Sequence, residues 1–315
     1  MKTKNASEAC LLNKMARKSI LSVLALGLSA CAPALQKGHA SLGSITEESG
    51  IVNGTTVSGS DPIAQSTVAL LLETPQGTAL CTGTLVSPTV VMTAAHCVEG
   101  VNRAIVIFTL NVDTATKDDA RGVTRVIVNP KADLNADKDT NDVALVKFDG
   151  AAPNGYSPAT LLSSATGVKS GMDVVLAGFG VTGMNMTSGK IGALMRRKPK
   201  PAAPAPSSPT PSTPRSNSGD PTLLRKVDVV LSDAAYSSSE LLFKQSANGG
   251  GACHGDSGGP ALATVGGKLT VIGITSRSAT HAGGGTCLEG SIYTNVGAHI
   301  SFIQSAIKKL EAPKP

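Results

Sequence analysis

The stretch Gly255-Asp256-Ser257-Gly258-Gly259-Pro260 places a serine among glycines and ahead of a proline. So many glycines beside a proline serve neither a regular strand nor a regular helix, and they predict a loop of special geometry. Glycines let backbone N–H groups turn toward one point, where they can stabilise an oxygen atom that gains negative charge. The stretch therefore indicates a reactive hydroxyl beside a site for an oxyanion.

Two further segments carry the groups that a reactive serine needs. Thr93-Ala94-Ala95-His96-Cys97 contains a histidine, and Asn141-Asp142-Val143-Ala144-Leu145 puts a carboxylate at the start of an apolar strand. A hydroxyl is a poor nucleophile near pH 7 unless a base takes its proton, and a carboxylate fixes the tautomer of that base. Taken singly, His96 is typical of a structural histidine, and Asp142 of a turn or cap. Together the three segments indicate a nucleophilic catalytic set.

The N-terminal residues resemble a targeting signal. Basic residues at 14–18 precede an uncharged run over 19–36 that is too short to span a membrane as a mature helix. Its end, Leu28-Ser29-Ala30-Cys31, resembles a bacterial lipoprotein signal, in which Cys31 follows the cleavage site and carries lipid. We expect a signal peptide with lipobox over residues 1–31 and a pro-segment or spacer over 32–50.

Two alternatives for this segment stay open. Met15 is a second candidate start, and an ordinary secretory cleavage after Ala34 or Ala40 would discard Cys31. Either route takes the protein out of the cytoplasm. We expect an extracytoplasmic protein that is secreted or lipid-anchored in a bacterial cell envelope, with membrane contact only through lipid on Cys31.

The expected compartment predicts how the cysteines are used. Cys10 and Cys31 belong to the targeting region, and the remaining four form an even set: Cys81, Cys97, Cys253 and Cys287. In an oxidising compartment this predicts two disulfides, with three pairings open, rather than a metal site. The spacing is not typical of zinc ligands. We expect no metal and no cofactor.

The charge pattern excludes one class of partner. The chain of 315 residues has a formal charge of +6 and 3% aromatic residues, and its basic excess lies in residues 1–50 and 180–222. A nucleic-acid-binding protein needs a basic stripe on its folded face, with aromatic residues if the strand is single. We therefore expect no nucleic-acid partner.

Short β-like runs separated by turn residues predict an all-β sandwich or barrel from Ile51 onward. Ile300, Ile303, Ile307 and Leu310 recur at spacings of three and four and predict one amphipathic C-terminal helix. The predicted strands lie over residues 68–72, 84–92, 105–108, 123–128, 143–148, 174–177, 227–231, 269–275 and 291–296.

In this order, the three segments resemble the chymotrypsin/trypsin family of serine proteases. Other motifs support the resemblance, which covers about residues 51–313. These are Ile51-Val52-Asn53-Gly54, Gly178-Phe179-Gly180, Leu224-Arg225-Lys226-Val227-Asp228-Val229 and Tyr293 before the C-terminal helix.

The resemblance implies an all-β, chymotrypsin-like fold of two antiparallel six-stranded β-barrels with a C-terminal α-helix. It implies a trypsin-like peptidase domain over residues 51–315, with an N-terminal barrel over 51–155 and a C-terminal barrel over 156–315. The Pro-rich residues 199–221 would suggest a domain boundary by composition alone. Under the resemblance they become part of an autolysis-loop insertion at about 181–222.

The resemblance also implies roles for particular residues. His96 would be the general base, Asp142 its orienting partner and Ser257 the nucleophile of an endopeptidase that forms an acyl-enzyme. The Gly255 and Ser257 N–H groups would form the oxyanion hole. The implied disulfides are Cys81–Cys97 and Cys253–Cys287.

Activation from a zymogen follows from the same resemblance. Cleavage between Gly50 and Ile51 would free an α-amine that family members bury against the residue before the nucleophile, here Asp256. Many relatives carry Arg or Lys where this chain has Gly50, so we expect a different activating protease rather than self-activation. The alternative is that residues 51–54 are merely a first strand.

The specificity pocket departs from that of trypsin. Gly251 stands where trypsin-like members place an aspartate, so we do not expect cleavage after Lys or Arg. Ser276, Ser278 and Ser291 complete the expected pocket, and a small or medium uncharged residue before the scissile bond is predicted. Arg277 and His254 support an acidic preference as the alternative.

Two further expectations concern partners and class. Asp133, Asn135, Asp137 and Asp139 alternate as in a calcium loop, but Lys138 replaces the glycine that an EF-hand needs, so no calcium site is predicted. We expect a monomer that acts on protein or peptide substrates. The alternative class is a catalytically silent binding or adhesion module on a protease scaffold.

Overall fold

The computed structural model describes residues 51–180, 222–245, 249–279, 287 and 290–313. The predictions for residues 1–50, including lipidation at Cys31 and cleavage after Gly50, concern residues outside these ranges. The Pro-rich stretch 199–221 lies outside them as well.

The first half of the described chain forms a closed barrel of six antiparallel strands. Around the barrel the order is β2-β3-β4-β7-β6-β5. Leu70, Leu85, Met92 and Phe148 are among its largest fully buried side chains, and removing them from water drives the closure. The strands are β2 (Thr67–Thr74), β3 (Gly77–Ser87), β4 (Val90–Thr93), β5 (Arg103–Ile107), β6 (Ala120–Val128) and β7 (Ala144–Phe148).

The second half forms a second sheet, with the order β1-β10-β9-β12-β13-β14-β11. An isolated bridge between Asp233 and Leu242 joins the chain after β10 to β11, so the six strands from β10 to β11 curve back on themselves. The strands are β1 (Thr55–Thr56), β8 (Thr160–Leu161), β9 (Asp173–Gly178), β10 (Arg225–Val230), β11 (Glu240–Phe243), β12 (Pro260–Val265), β13 (Lys268–Ser278) and β14 (Ser291–Asn295).

The predicted C-terminal helix is present as α1 (Val296–Glu311). The Asn295 side chain caps the N-terminus of this helix by accepting hydrogen bonds from the Gly297 and Ala298 N–H groups at 2.9 and 3.3 Å. Ile303 and Leu310 are fully buried, as their spacing predicts. Short 3-10 helices lie at Pro62–Gln65, Ala95–Cys97, Val112–Thr114 and Ala165–Gly167. No helix among the described residues has the length and hydropathy to cross a membrane.

The predicted all-β, chymotrypsin-like fold class is confirmed, although among the described residues only the first barrel is closed and the second predicted six-stranded barrel is an eight-stranded sheet. There are also three local differences. The run 84–92 is a hairpin of β3 and β4, because Pro88 has no N–H to donate and the chain turns there. The strand β8 pairs parallel to β13, whereas the prediction was antiparallel throughout. Four strands were not predicted: β1 and β8 are only two residues long, β11 is only four, and β12 is built largely of small residues.

Candidate active site

The register of two neighbouring strands brings His96 and Asp142 side by side. Strands β4 and β7 pair with Thr93 opposite Ala144. His96 lies in the 3-10 turn three residues beyond Thr93, and Asp142 lies two residues before Ala144. Because paired strands are only about 4.8 Å apart, these two ends meet.

The carboxylate of Asp142 holds His96 at two points. Nδ1 of the imidazole lies 2.7 Å from Asp142 Oδ2, and the backbone N–H of His96 donates to Oδ1 at 3.0 Å. Fixing Nδ1 in this way leaves Nε2 as the ring nitrogen that can exchange a proton with a third group.

Ser276 is a further partner of the same carboxylate. Its hydroxyl donates to Asp142 Oδ2 at 2.7 Å, although the sequence placed Ser276 only in the specificity pocket. Burial by itself raises the pKa of Asp142, but the hydrogen bonds from His96 and Ser276 and the charge interaction with His96 outweigh it. The pKa of Asp142 is therefore lowered. Asp142 is thus ionised at neutral pH although it is almost fully buried.

Ser257 lies next to this pair across the Cys81–Cys97 disulfide. The Cys97 sulfur is 3.8 Å from His96 Nε2 and 3.6 Å from the Ser257 carbonyl oxygen. That carbonyl also accepts a hydrogen bond from the Thr82 N–H at 2.8 Å. The barrel strand that carries Thr82 therefore holds the Ser257 backbone against the same disulfide that His96 contacts.

The glycines around Ser257 are required by its backbone. Gly255 and Gly258 have φ angles of 91° and 82°, in the region that favours glycine. A side chain on Gly258 would also collide with Thr93 and Thr82. The N–H groups of Gly255 and Ser257 have no hydrogen-bond partner among the residues that the structure describes. These are the two N–H groups that the sequence predicts as donors to an oxyanion.

Asp256 turns away from the surface into a pocket formed by two glycines. Its carboxylate accepts hydrogen bonds from the Gly180 and Cys253 N–H groups, both at 2.8 Å, and a side chain on Gly178 or Gly180 would collide with it. Burial raises the pKa of Asp256 to about 7, because the two backbone hydrogen bonds only partly compensate for desolvation. Ile51 is also buried.

A cavity of about 250 Å³ opens beside Ser257. Ser276, Ser278 and Ser291 line it, as predicted, together with Ala252 and His254. Gly251 pairs with Val52 and lines an adjoining crevice that Ser291 also lines, and a side chain added at Gly251 would meet no atom within 4 Å. The cavity wall contains no Asp or Glu among the described residues.

Arg277 lines the same cavity, yet its charge is already neutralised. Its Nη1 lies 2.6 Å from Glu240 Oε1, and the Glu240 side chain is fully buried. The alternative of an acidic preference stays a prediction, in which Arg277 is already paired with Glu240. Of the two residues behind that alternative, only His254 is exposed to solvent.

The cysteines, and the carboxylates that alternate as in a calcium loop, take part in interactions other than metal binding. The structure joins Cys81 to Cys97 and Cys253 to Cys287. His96 lies near the first pair, but disulfide sulfurs are not thiolates and do not fit a metal. In the loop that alternates like a calcium site, Asp139 accepts its hydrogen bonds from serines instead.

Comparisons with known proteins agree with this geometry. The family model described as Trypsin matches residues 51–303. Chymotrypsin-like elastase family member 1 of Canis lupus familiaris is 25% identical over 237 residues, 72% of this chain and 81% of the relative. The same protein of Bos taurus is also 25% identical, over 72% of this chain and 78% of its own.

Solved structures show the same fold. HL collagenase superposes with a TM-score of 0.59 at 19% identity, covering 81% of this chain and 98% of that one. The scabies mite inactivated protease paralogue S-I1 superposes with a TM-score of 0.55 at 19% identity, covering 79% and 98%. At 19% sequence identity, these two structural similarities support the fold alone.

Proposed function

This chain belongs to the trypsin family of serine proteases, and from that premise we propose that it is an endopeptidase that cuts peptide bonds with His96, Asp142 and Ser257. The observation that carries the proposal is the double hydrogen bond between His96 and a buried, ionised Asp142, next to a serine on a glycine-rich loop. A histidine with a purely structural role does not require a buried carboxylate on Nδ1 together with a serine close to Nε2.

The proposed reaction runs through an acyl-enzyme. Ser257 Oγ attacks the scissile carbonyl carbon while His96 Nε2 takes the hydroxyl proton, and Asp142 stabilises the resulting imidazolium. His96 then gives that proton to the leaving amine, which leaves Ser257 esterified. A water molecule, deprotonated by His96, hydrolyses the ester and restores the serine. The Gly255 and Ser257 N–H groups stabilise the oxyanion in both halves.

Cleavage between Gly50 and Ile51 is the proposed activation step. The buried Ile51 side chain and the pairing of Val52 with Gly251 support it, since they hold the new terminus against the loop that leads to Ser257. A free α-ammonium next to Asp256 would keep that carboxylate ionised and fix the oxyanion donors. Gly50 fits an activating protease that does not require Lys or Arg.

The proposed substrates have a small or medium uncharged residue before the scissile bond. The serine-lined cavity of about 250 Å³ supports this, because it offers hydroxyl groups and no carboxylate to a Lys or Arg side chain among the described residues. A peptide-library cleavage profile of protein that begins at Ile51 tests both activity and preference. Ser257→Ala is the matched control, and a profile dominated by Lys or Arg would contradict the proposed specificity.

We also propose that the protein acts outside the cytoplasm. The two disulfides support an oxidising compartment. They use all four cysteines after residue 50, so a lipid on Cys31 would leave the active domain free once Gly50–Ile51 is cut. Fractionation before and after processing tests this release: active protein that stays on membranes would contradict it.

A silent binding module is the second candidate. One structural neighbour is itself an inactivated protease paralogue, so the fold alone does not establish activity. The library profile separates the two candidates: cleavage that Ser257→Ala abolishes supports the enzyme, and no cleavage by correctly processed protein supports the module.

A further inference from the structure

The loop that carries Asp142 has an unfavourable backbone. Asp139 and Asn141 have φ angles of 54° and 51°, in the left-handed region, which non-glycine residues adopt at a cost. Something must therefore hold this loop in place, because Asp142 follows it directly. The Asn141 side chain contributes within the loop by donating to the Lys131 carbonyl at 3.1 Å.

The carboxylate of Asp139 ties the loop to the second sheet. Its Oδ1 accepts hydrogen bonds from the Ser237 and Ser239 hydroxyls at 2.7 Å each, from the Ser239 N–H at 2.9 Å and from the Ser238 hydroxyl at 3.0 Å. The Ser237 hydrogen bond is the largest cause that lowers the pKa of Asp139, which falls to about 2. These serines lie directly before β11.

Glu240, the first residue of β11, makes the second tie. Its Oε1 accepts hydrogen bonds from the Thr140 N–H at 3.1 Å and the Thr140 hydroxyl at 2.9 Å. Arg277 donates to Oε1 at 2.6 Å and to Oε2 at 3.1 Å, and its Nη2 also donates to the Asp137 carbonyl at 2.8 Å. Burial alone raises the pKa of Glu240, but these partners, chiefly Arg277, outweigh it and lower the pKa. We call Thr140, Glu240 and Arg277 the clasp.

The clasp reaches Asp142 from two sides. Thr140 lies two residues before Asp142 along the chain, and Arg277 follows Ser276, whose hydroxyl binds Asp142 Oδ2. A buried ion pair adds little net stability compared with apolar packing, but it fixes geometry because neither charge can leave its partner without a large penalty.

We propose that Glu240 is a positioning residue for Asp142, acting through Thr140 on one side and through Arg277 and Ser276 on the other. The proposal rests on the proposed protease function. It predicts that Glu240, which touches neither His96 nor Ser257 in the structure, controls how well Asp142 supports His96.

The test is a double-mutant cycle on protein that begins at Ile51. The rate of Ser257 labelling by a fluorophosphonate probe is measured from pH 5 to pH 9, together with thermal unfolding. Glu240→Gln should lower the rate at pH 8 by about tenfold to about 100-fold, and it should move the acid limb of the profile to lower pH. A weaker hold of Asp142 on His96 destabilises the imidazolium, which sets the direction of that shift.

The second arm repeats Glu240→Gln in an Asp142→Asn background. If Glu240 acts through Asp142, its effect there should shrink to less than about twofold. Asp137→Asn is the matched control, because it removes one charge from an exposed side chain of the same loop and leaves the clasp intact. It should label at the parent rate.

Three outcomes decide the matter. Full labelling of Glu240→Gln, or an equal loss in both backgrounds, overturns the positioning role even though the enzyme works. If the parent protein itself does not label, the proposed function fails instead. Should Glu240→Gln not fold, Asp139→Asn takes its place in the same cycle, with the same expected disappearance of the effect.

Discussion

At the scale of single residues, two buried carboxylates behave in opposite ways because their partners differ. Asp142 has His96 and the Ser276 hydroxyl, and its pKa is lowered. Among the described residues, Asp256 accepts hydrogen bonds from two backbone N–H groups and from no side chain, and burial raises its pKa to about 7. The carboxylate beside His96 is thus ionised at neutral pH, whereas the buried Asp256 carboxylate lacks a cationic partner among these residues.

The uncleaved precursor should lose stability as Asp256 ionises. Its folded pKa of about 7 lies above the ordinary 3.8, so between these values the folded state holds a proton that the unfolded state has released. The free energy of unfolding should then fall with rising pH, by at most about 1.4 kcal/mol per pH unit from this group. Urea unfolding of Ser257→Ala precursor at pH 5 and pH 7 measures the slope.

Asp256→Asn in that precursor is the control for this slope. Carboxyl groups whose pKa is lowered, such as that of Asp142, lose their contribution to the free energy of unfolding only at more acidic pH. Both proteins contain these groups, so they do not affect the comparison. The Asn variant should therefore show a more positive change of stability with pH than the precursor. Identical slopes would show that Asp256 is already ionised in the folded protein at pH 5.

Ser276→Ala should weaken catalysis without abolishing it. It removes one of three hydrogen bonds to the Asp142 carboxylate and leaves both bonds to His96 in place. We expect the fluorophosphonate labelling rate of Ser257 to fall by about tenfold, since a hydrogen bond to a charged group contributes about 1.5–3 kcal/mol. Ser60→Ala, which removes an exposed hydroxyl outside the cavity, is the control. An unchanged rate in Ser276→Ala would show that the Ser276 hydroxyl does not contribute to positioning Asp142.

At the scale of elements, sequence patterns predicted the local structure better than the contacts between elements. The spacing of Ile303 and Leu310 predicted α1, and glycines predicted the loop around Ser257, because both signals are local. The Glu240–Arg277 pair could not be predicted, since its residues are far apart in sequence and each looks like an ordinary surface charge. The pairing of Gly251 with Val52 could not be predicted either, because it joins positions about 200 residues apart in sequence.

The N-cap of α1 gives a prediction at this scale. The Asn295 side chain accepts hydrogen bonds from two N–H groups that have no partner within the helix. Asn295→Ala should therefore lower the free energy of unfolding by about 1 kcal/mol, whereas Asn295→Asp, which keeps an acceptor, should lower it less. Urea unfolding of both variants in the Ser257→Ala background checks this, and equal losses would assign the effect to β14 rather than to the cap.

At the scale of the whole molecule, the proposed site takes its residues from both sheets. His96 and Asp142 come from the first barrel, whereas Ser257, Ser276 and Glu240 come from the second sheet. The Pro-rich stretch does not separate these halves in sequence. Strands β9 and β10 lie on either side of it and pair with each other, with Gly178 opposite Arg225.

This pairing predicts that residues 181–221 can be replaced by a short Gly-Ser turn. The ends of the stretch adjoin a strand pair of the second sheet, and the entropy of closing a loop changes only slowly with its length. The shortened protein should fold and label at Ser257 within about threefold of the parent rate. Loss of folding would show instead that the stretch is part of the domain core.

Fluorophosphonate labelling of Ser257 before and after cleavage of the Gly50–Ile51 bond tests the proposed catalytic triad most directly. We predict fast labelling once Ile51 is free, much slower labelling of the uncleaved precursor, and none in Ser257→Ala. Asp142→Asn should slow the cleaved protein by about 10⁴ while it stays folded. Cleaved and folded protein that never labels at Ser257 would contradict the proposal that these residues form a working catalytic triad.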